Sequence, residues 1–79
     1  MNKKGLSIYF QARTPWLTVE RKQLSVNENA TVLQVAITQG LKLEKKSLIF
    51  VVVNGKKVNW DEVLQEGDSL CLLPIIIGG

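Results

Sequence analysis

The chain contains no histidine and only one cysteine, Cys71, among its 79 residues. A single thiol cannot form an intrachain disulfide framework, and it is far short of the ligand set of an iron–sulfur cluster. The sequence also has no GxxxxGK-type phosphate-binding loop and no recognisable set of metal ligands. We therefore expect that the protein is not an enzyme and binds no cofactor or metal ion itself. Cys71 alternates with Leu70 and Leu72, so we expect it to be a small packed side chain.

Long hydrophobic runs are missing as well, because no apolar segment approaches the roughly 20 residues that a membrane-spanning helix needs. The segment after Lys3-Lys4 alternates apolar with polar residues, whereas a signal peptide has a continuous apolar core. The net charge is only +3, and the basic doublets are scattered along the chain. Nucleic-acid binding would need these doublets to converge beside stacking aromatic residues. We expect a cytoplasmic protein that binds neither membranes nor nucleic acid.

What the first part of the sequence does contain is a pair of β-strand patterns. Residues 6–12 alternate with period two, which places Leu6, Ile8 and Phe10 on one face of a half-buried strand. Pro15 interrupts this pattern because it has no amide proton for a strand ladder. A second strand is predicted within residues 17–26.

The clearest helix signal follows. Thr31 is a capping residue, Gln34 stands three positions later as in a capping box, and Gly40 suits the left-handed C-terminal position. The apolar residues between them form a stripe at helical spacing: Val32, Leu33, Val35, Ala36 and Ile37. We therefore predict a helix of about nine residues held by packing on a sheet. A further helical turn is predicted at Asp61–Leu64.

The second half of the sequence contains three more strand patterns. Leu48–Val53 is short and β-branched, which is typical of a buried strand. Asn54-Gly55 is a favoured two-residue hairpin turn, so Lys56–Val58 is predicted to return as a short strand. Ser69–Leu73 is the last strand, and Pro74 ends it.

This order of elements predicts an α+β fold: a mixed sheet of about five strands with one main helix packed across one face. A chain of this length forms a single domain with a small core. We place the domain at residues 1–74 and a flexible C-terminal tail, which ends in Gly-Gly, at residues 75–79.

The order of elements and three motifs resemble the ubiquitin-like β-grasp sulfur carriers of thiamin and molybdopterin synthesis. The motifs are Val53-Asn54-Gly55-Lys56, Leu64-Gln65-Glu66-Gly67-Asp68, and Leu72-Leu73-Pro74 leading to Gly78-Gly79. The Leu73-Pro74 pair is more similar to the small subunit of molybdopterin synthase than to the thiamin carrier. The sequence departs from these families at two places, and both bear on which pathway the protein serves. Ile75 stands where the molybdopterin carriers commonly have a second proline. Residues 13–20 have no obvious counterpart in the shortest thiamin carriers.

The resemblance implies that the carboxylate of Gly79 is adenylated by a ubiquitin-activating-type enzyme that uses ATP. A persulfide sulfur donor would then convert it to a thiocarboxylate, which delivers sulfur in the active site of a sulfur-accepting synthase subunit. Gly78 and Gly79 lack a Cβ atom, so this tail could enter a narrow channel. The final acceptor stays open between molybdopterin, tungstopterin, thiazole, an amino acid and tRNA.

Several apolar residues are candidates for binding these partners. Pro74 removes a ladder donor and would help to release the tail, whose residues Ile75, Ile76 and Ile77 would anchor in a partner's groove; alternatively, Ile75 only completes the last strand. Tyr9 and Leu73 are expected on the sheet face opposite the helix, either as a docking patch or beneath a loop that contains Trp16. Two other functions remain open: a protein modifier conjugated through Gly79, and a non-covalent β-grasp interaction domain.

Overall fold

The computed structural model describes residues 5–75 of the chain. The elements, in order, are β1 (Gly5–Thr14), β2 (Leu17–Asn27), α1 (Val32–Thr38), a 3₁₀ helix (Leu43–Leu48), β3 (Ile49–Val53), β4 (Lys56–Val58) and β5 (Ser69–Pro74). Among these elements, neither helix is long and apolar enough to cross a membrane.

The five strands form one mixed sheet in the order β2-β1-β5-β3-β4. The strands β1 and β5 run parallel, and every other neighbouring pair is antiparallel. A parallel pair cannot be joined by a hairpin, so the chain must cross over between them, and it carries α1 on the way. The predicted α+β mixed sheet with one main helix is confirmed.

The N-terminus of α1 is the predicted capping box. The Thr31 hydroxyl accepts a hydrogen bond from the Gln34 amide at 3.3 Å, and the Gln34 side chain accepts one from the Thr31 amide at 2.9 Å. Gly40 has the predicted positive φ, at +118°. The helix is seven residues long, shorter than predicted.

The face of α1 that packs on the sheet is narrower than the predicted apolar stripe. Val32, Val35 and Ala36 are buried, as expected for positions i, i+3 and i+4 of one helix face. Ile37 is 44% exposed, so its place in the predicted stripe was wrong. A helix of about two turns presents only one such face to the sheet.

The prediction of a helical turn at Asp61–Leu64 was also wrong. Asp61 belongs to a non-helical turn, and Val63 pairs with Thr31 in an isolated antiparallel bridge. The Val32 amide donates to the Glu62 carbonyl and the Leu64 amide donates to the Ala30 carbonyl, both at 2.9 Å. The segment therefore ties the start of α1 to the rest of the domain, and Leu64 is buried there.

The 3₁₀ helix before β3 was not predicted. It ends at Leu48, so β3 begins one residue later than the predicted strand, at Ile49. Within β3, Ile49, Val51 and Val53 are buried, whereas Phe50 and Val52 are only half-buried on the other face. The strand therefore has two different faces, although its sequence is uniformly apolar.

The core lies between the sheet and α1. Its fully buried large side chains come from β1, β3, β5, the start of α1 and the segment before β5: Ile8, Phe10, Val32, Val51, Leu64, Leu70 and Leu72. This arrangement confirms that residues 8 and 10 of β1 face the helix.

Two of the sequence motifs meet at the start of β5. Asn54 and Gly55 both have positive φ, at 54° and 84°, as a tight hairpin turn requires. The Asn54 side chain accepts from the Ser69 amide at 2.9 Å and donates to the Asp68 carboxylate at 2.8 Å. The second oxygen of Asp68 accepts from the Gln65 amide at 2.8 Å. The two motifs thus have a structural role, because together they hold the beginning of β5 in place.

Candidate functional site

The candidate site lies at the end of β5, where the chain leaves the sheet. Four of its predicted residues, Ile76, Ile77, Gly78 and Gly79, lie outside the described residues 5–75. Pro74 pairs with Ile49 as the last residue of β5.

One backbone hydrogen bond continues beyond the proline. The Ile75 amide donates to the Leu48 carbonyl at 2.9 Å, and the Ile75 side chain is 44% exposed. The root of the predicted tail is therefore attached to the end of the 3₁₀ helix, and its apolar side chain faces solvent.

A rigid turn stands at the same end of the sheet. Because β1 and β5 are parallel neighbours, β1 ends at Thr14 on the side where β5 ends at Pro74. The buried Thr14 hydroxyl accepts from the amides of Trp16 and Leu17, at 3.1 and 2.9 Å, and donates to the Leu17 carbonyl at 3.0 Å. The turn between β1 and β2 is thereby held in one conformation.

The sheet face opposite α1 carries the predicted patch. Phe10, Leu70 and Leu72 point into the core, so strand alternation places Tyr9 and Leu73 on the opposite face. This orientation is confirmed, while the partner-binding role of both residues stays a prediction.

Sequence reasoning missed two residues of this face, Phe50 and Val52. Phe50 pairs with Leu73 and Val52 pairs with Cys71, so both extend the apolar surface across β3. The uniformly apolar sequence of β3 gave no alternation that could have revealed them. The one available signal was the Asn54-Gly55 hairpin, which pairs β3 with the partly polar strand β4 and so suggests that one face of β3 is accessible to solvent.

Cations lie over both aromatic rings of this face. The Arg21 guanidinium is 4.6 Å from the centre of the Tyr9 ring, and it also donates to the Ser69 hydroxyl at 3.0 Å. The Lys57 ammonium is 5.7 Å from the centre of the Phe50 ring. Each such pair contributes about 0.5–1 kcal/mol at an exposed site. The face is therefore apolar at its centre and positively charged beside it.

The loop that contains Trp16 does not bury Tyr9, so the covered arrangement predicted for the patch does not hold at Tyr9. The Lys45 ammonium of the 3₁₀ helix lies 5.8 Å from the centre of the Trp16 ring. Tyr9 remains 37% exposed beside Arg21. Tyr9 is therefore accessible to solvent at one side of the patch, whereas Leu73 is half-buried.

Cys71 lies on the same face, between Gln11 of β1 and Val52 of β3. Burial raises the pKa of the Cys71 thiol above its ordinary value, and this effect outweighs the nearby Arg13 charge and a hydrogen bond with Gln11. The thiol is therefore protonated at neutral pH and is a weak nucleophile. This agrees with the expectation that Cys71 is a packed side chain.

We expect Cys71 to react with iodoacetamide more slowly than free cysteine at pH 7.5, because only the thiolate reacts. The rate should rise with pH through a pKa above the ordinary value, since the protonated form persists to higher pH. Alkylation in urea should restore the rate of a free thiol. A folded-state rate equal to that of free cysteine would contradict the prediction.

Metal binding and acid–base catalysis have little support in the described part of the chain. Residues 5–75 contain no group of three or more potential ligands that could hold a metal ion. An open groove between β2 and α1 is lined by residues 24–30 and by Gln34, Val35, Thr38 and Gln39, with Glu28 as its one ionisable side chain. A single carboxylate has no partner there for acid–base catalysis.

Comparisons with protein families and with solved structures agree with the fold described above. A model of the ThiS family matches residues 8–79. No curated protein sequence matches the chain. The crystal structure of SAMP1 from Haloferax volcanii is 19% identical, with a TM-score of 0.68, over 92% of this chain and 99% of that chain.

Two further solved structures belong to molybdopterin-converting factors. The putative molybdopterin converting factor subunit 1 from Pyrococcus furiosus is 20% identical, with a TM-score of 0.68, over 90% of this chain and 99% of that chain. A chain in the complex of subunits 1 and 2 of molybdopterin-converting factor from Helicobacter pylori is 18% identical, with a TM-score of 0.57, over 94% and 100%. At these identities the likeness shows the fold, which is the ubiquitin-like β-grasp.

Proposed function

Because the chain belongs to the ThiS family, a family of ubiquitin-like β-grasp sulfur carriers, we propose that it carries sulfur as a thiocarboxylate on Gly79. The observation that carries the proposal is the extent of the family match, which includes the whole segment from β5 to Gly78-Gly79. The geometry of Ile75 supports it, because the chain leaves the sheet at an exposed end.

The chemistry needs an activating enzyme, since a carboxylate at neutral pH is a poor electrophile. A ubiquitin-activating-type enzyme would join the Gly79 carboxylate to AMP from ATP and release pyrophosphate. A persulfide on a donor protein then displaces AMP, and cleavage of the sulfur–sulfur bond by a thiol leaves the terminal thiocarboxylate. The chain supplies no catalytic group of its own and binds no cofactor; ATP is used by the activating partner.

The acceptor that we favour is a molybdopterin-type synthase subunit. The complex of the two subunits of the H. pylori molybdopterin-converting factor supports a partner of this kind, and the P. furiosus likeness agrees with it. The Leu73-Pro74 pair favours the same pathway over thiamin synthesis. The residues proposed to bind partners are those of the tail and of the open sheet face: Tyr9, Leu73, Pro74, Ile75, Ile76 and Ile77.

A second candidate function is protein modification, in which the activated Gly79 acylates lysine side chains. The likeness to small archaeal modifier protein 1 from H. volcanii supports this candidate. The activation step is common to both functions, so only the acceptor differs. A non-covalent interaction domain is the third candidate, and it would not need Gly79.

Intact mass spectrometry tests the proposal. The purified chain is incubated with ATP, a persulfide donor and the ubiquitin-activating-type enzyme encoded nearest to its gene. We expect a mass gain equal to the difference between one sulfur and one oxygen atom, located at Gly79, and no gain without ATP. The absence of any gain would count against a sulfur carrier, and covalent adducts on lysines would favour a modifier.

A further inference from the structure

Three exposed apolar side chains lie at the end of the sheet where the tail begins: Trp16, Leu48 and Ile75, here called the root collar. Trp16 and Leu48 are each 38% exposed. The 3₁₀ helix joins them, because Lys45 lies over the Trp16 ring and the Leu48 carbonyl accepts from the Ile75 amide. A tail could leave the sheet without large apolar side chains around its first residue. The exposure of three such side chains at one place therefore suggests a surface that a partner covers.

The root collar is presented rigidly. The Thr14 hydroxyl makes three hydrogen bonds across the turn, and the Thr18 hydroxyl adds a fourth to the Thr14 carbonyl at 3.1 Å. A surface that is already ordered loses little conformational freedom when it is covered by a partner. An exposed tryptophan on such a turn has the properties of a binding anchor.

The surroundings of the root collar are positively charged. The Lys45 ammonium lies over the Trp16 ring, Lys42 precedes the 3₁₀ helix, and Arg13 precedes the turn; Lys46 instead lines a groove with Trp60 and Asp61. An apolar centre with a basic rim fits a partner surface that is apolar at its centre and acidic at its rim.

The length of the tail limits how far Gly79 can lie from the root collar. Four residues follow Ile75, and fully extended they span at most about 14 Å. If Gly79 reacts in an enzyme's active site, as proposed above, the surface around the entrance of that site must therefore come into contact with the root collar.

We propose that the root collar docks on an acidic-rimmed apolar entrance to the active site of the adenylating enzyme, with Trp16 as its main anchor. The inference rests on the proposed function and adds a docking site to it. RNA is the less suitable occupant: Lys45 lies over the Trp16 ring, where a base would stack, and the other two collar residues are aliphatic.

The test compares variants of the full chain as substrates of that enzyme in ATP–pyrophosphate exchange. For Trp16→Ala we expect KM to rise at least about tenfold, as for a binding hot spot, and kcat to change less than about twofold because the tail is unaltered. Leu48→Ala should raise KM in the same direction and serves as a second variant. Ile37→Ala, whose side chain is exposed to a similar degree on α1, should leave KM unchanged.

Charge reversal tests the acidic rim separately. Lys45→Glu should raise KM, whereas Lys56→Glu, in the hairpin at the other end of β3, should not. High salt should raise the KM of the wild-type chain, because screening weakens charge complementarity.

The outcomes distinguish a failure of the docking inference from a failure of the proposed function. Exchange with the wild-type chain and an unchanged KM for Trp16→Ala and Leu48→Ala would overturn the inference and leave the function standing. No exchange with the wild-type chain would overturn both. If Trp16→Ala instead weakened the retention of tRNA on a filter while KM stayed the same, the root collar would be an RNA-binding surface and the inference would be wrong.

Discussion

Deletion of Gly79 is expected to lower thiocarboxylate formation by about a hundredfold or more while leaving the fold intact. The shortened chain ends in the Gly78 carboxylate, which stands about 3.5 Å short of the position that Gly79 would reach. A displacement of even 1 Å at a reacting centre costs about a hundredfold in rate. All buried core residues fall within positions 8–72 of the sequence, so Gly79 is not one of them. We therefore expect its deletion to change the free energy of unfolding by less than about 0.5 kcal/mol.

Intact mass spectrometry after incubation with the activating enzyme, ATP and the persulfide donor measures this loss, and urea denaturation measures stability. The matched control is Gly55→Ala, which also removes a glycine but lies in the β3–β4 hairpin. Its φ of 84° strains an alanine, so it should lose stability but keep sulfur loading. Full loading of the chain that lacks Gly79 would show that Gly79 is not the sulfur-bearing residue.

Phe10→Ala is expected to have the largest effect on stability. Phe10 is fully buried in β1, and removing a buried phenylalanine side chain costs about 3–5 kcal/mol. Domains of this size have a total stability of about 4–12 kcal/mol. The variant should therefore lose about a quarter or more of its stability, and a domain at the lower end of this stability range should unfold at about 25 °C.

The control for this prediction is the preceding residue of the same strand. Tyr9 points to the open face, so Tyr9→Ala loses mainly the contact with Arg21 and should cost about 1 kcal/mol. Urea denaturation followed by tryptophan fluorescence measures both variants, because Trp60 packs against the core. Equal losses for the two variants would mean that the assignment of faces on β1 is wrong.

Local features of the fold were predictable because their interactions span few residues. The capping box joins Thr31 to Gln34, and the hairpin turn needs only Asn54 and Gly55. The alternation of residues 6–12 likewise assigned Phe10 to the core and Tyr9 to the opposite face. In each case the physical cause lies within the segment, so the residue types alone predict the structure.

The errors occurred where distant contacts decide the conformation. Asp61–Leu64 has a helix-compatible sequence, but hydrogen bonds to residues 30 and 32 hold its backbone in a non-helical conformation. In β3 every residue is apolar, so only pairing with β4 and β5 shows that Phe50 and Val52 face away from α1. The 3₁₀ helix has no buried residue and therefore no apolar stripe that would predict it.

The sequence by itself determined the family, since its order of elements and its three motifs resemble the ubiquitin-like β-grasp sulfur carriers, and the ThiS family model matches residues 8–79. The tertiary structure decided which side chains accompany the tail. The parallel pairing of β1 with β5 brings residues about sixty positions apart to one end of the sheet. Neither Trp16 nor Leu48 is close to Ile75 in sequence, so only this pairing and the Leu48–Ile75 hydrogen bond could reveal the root collar.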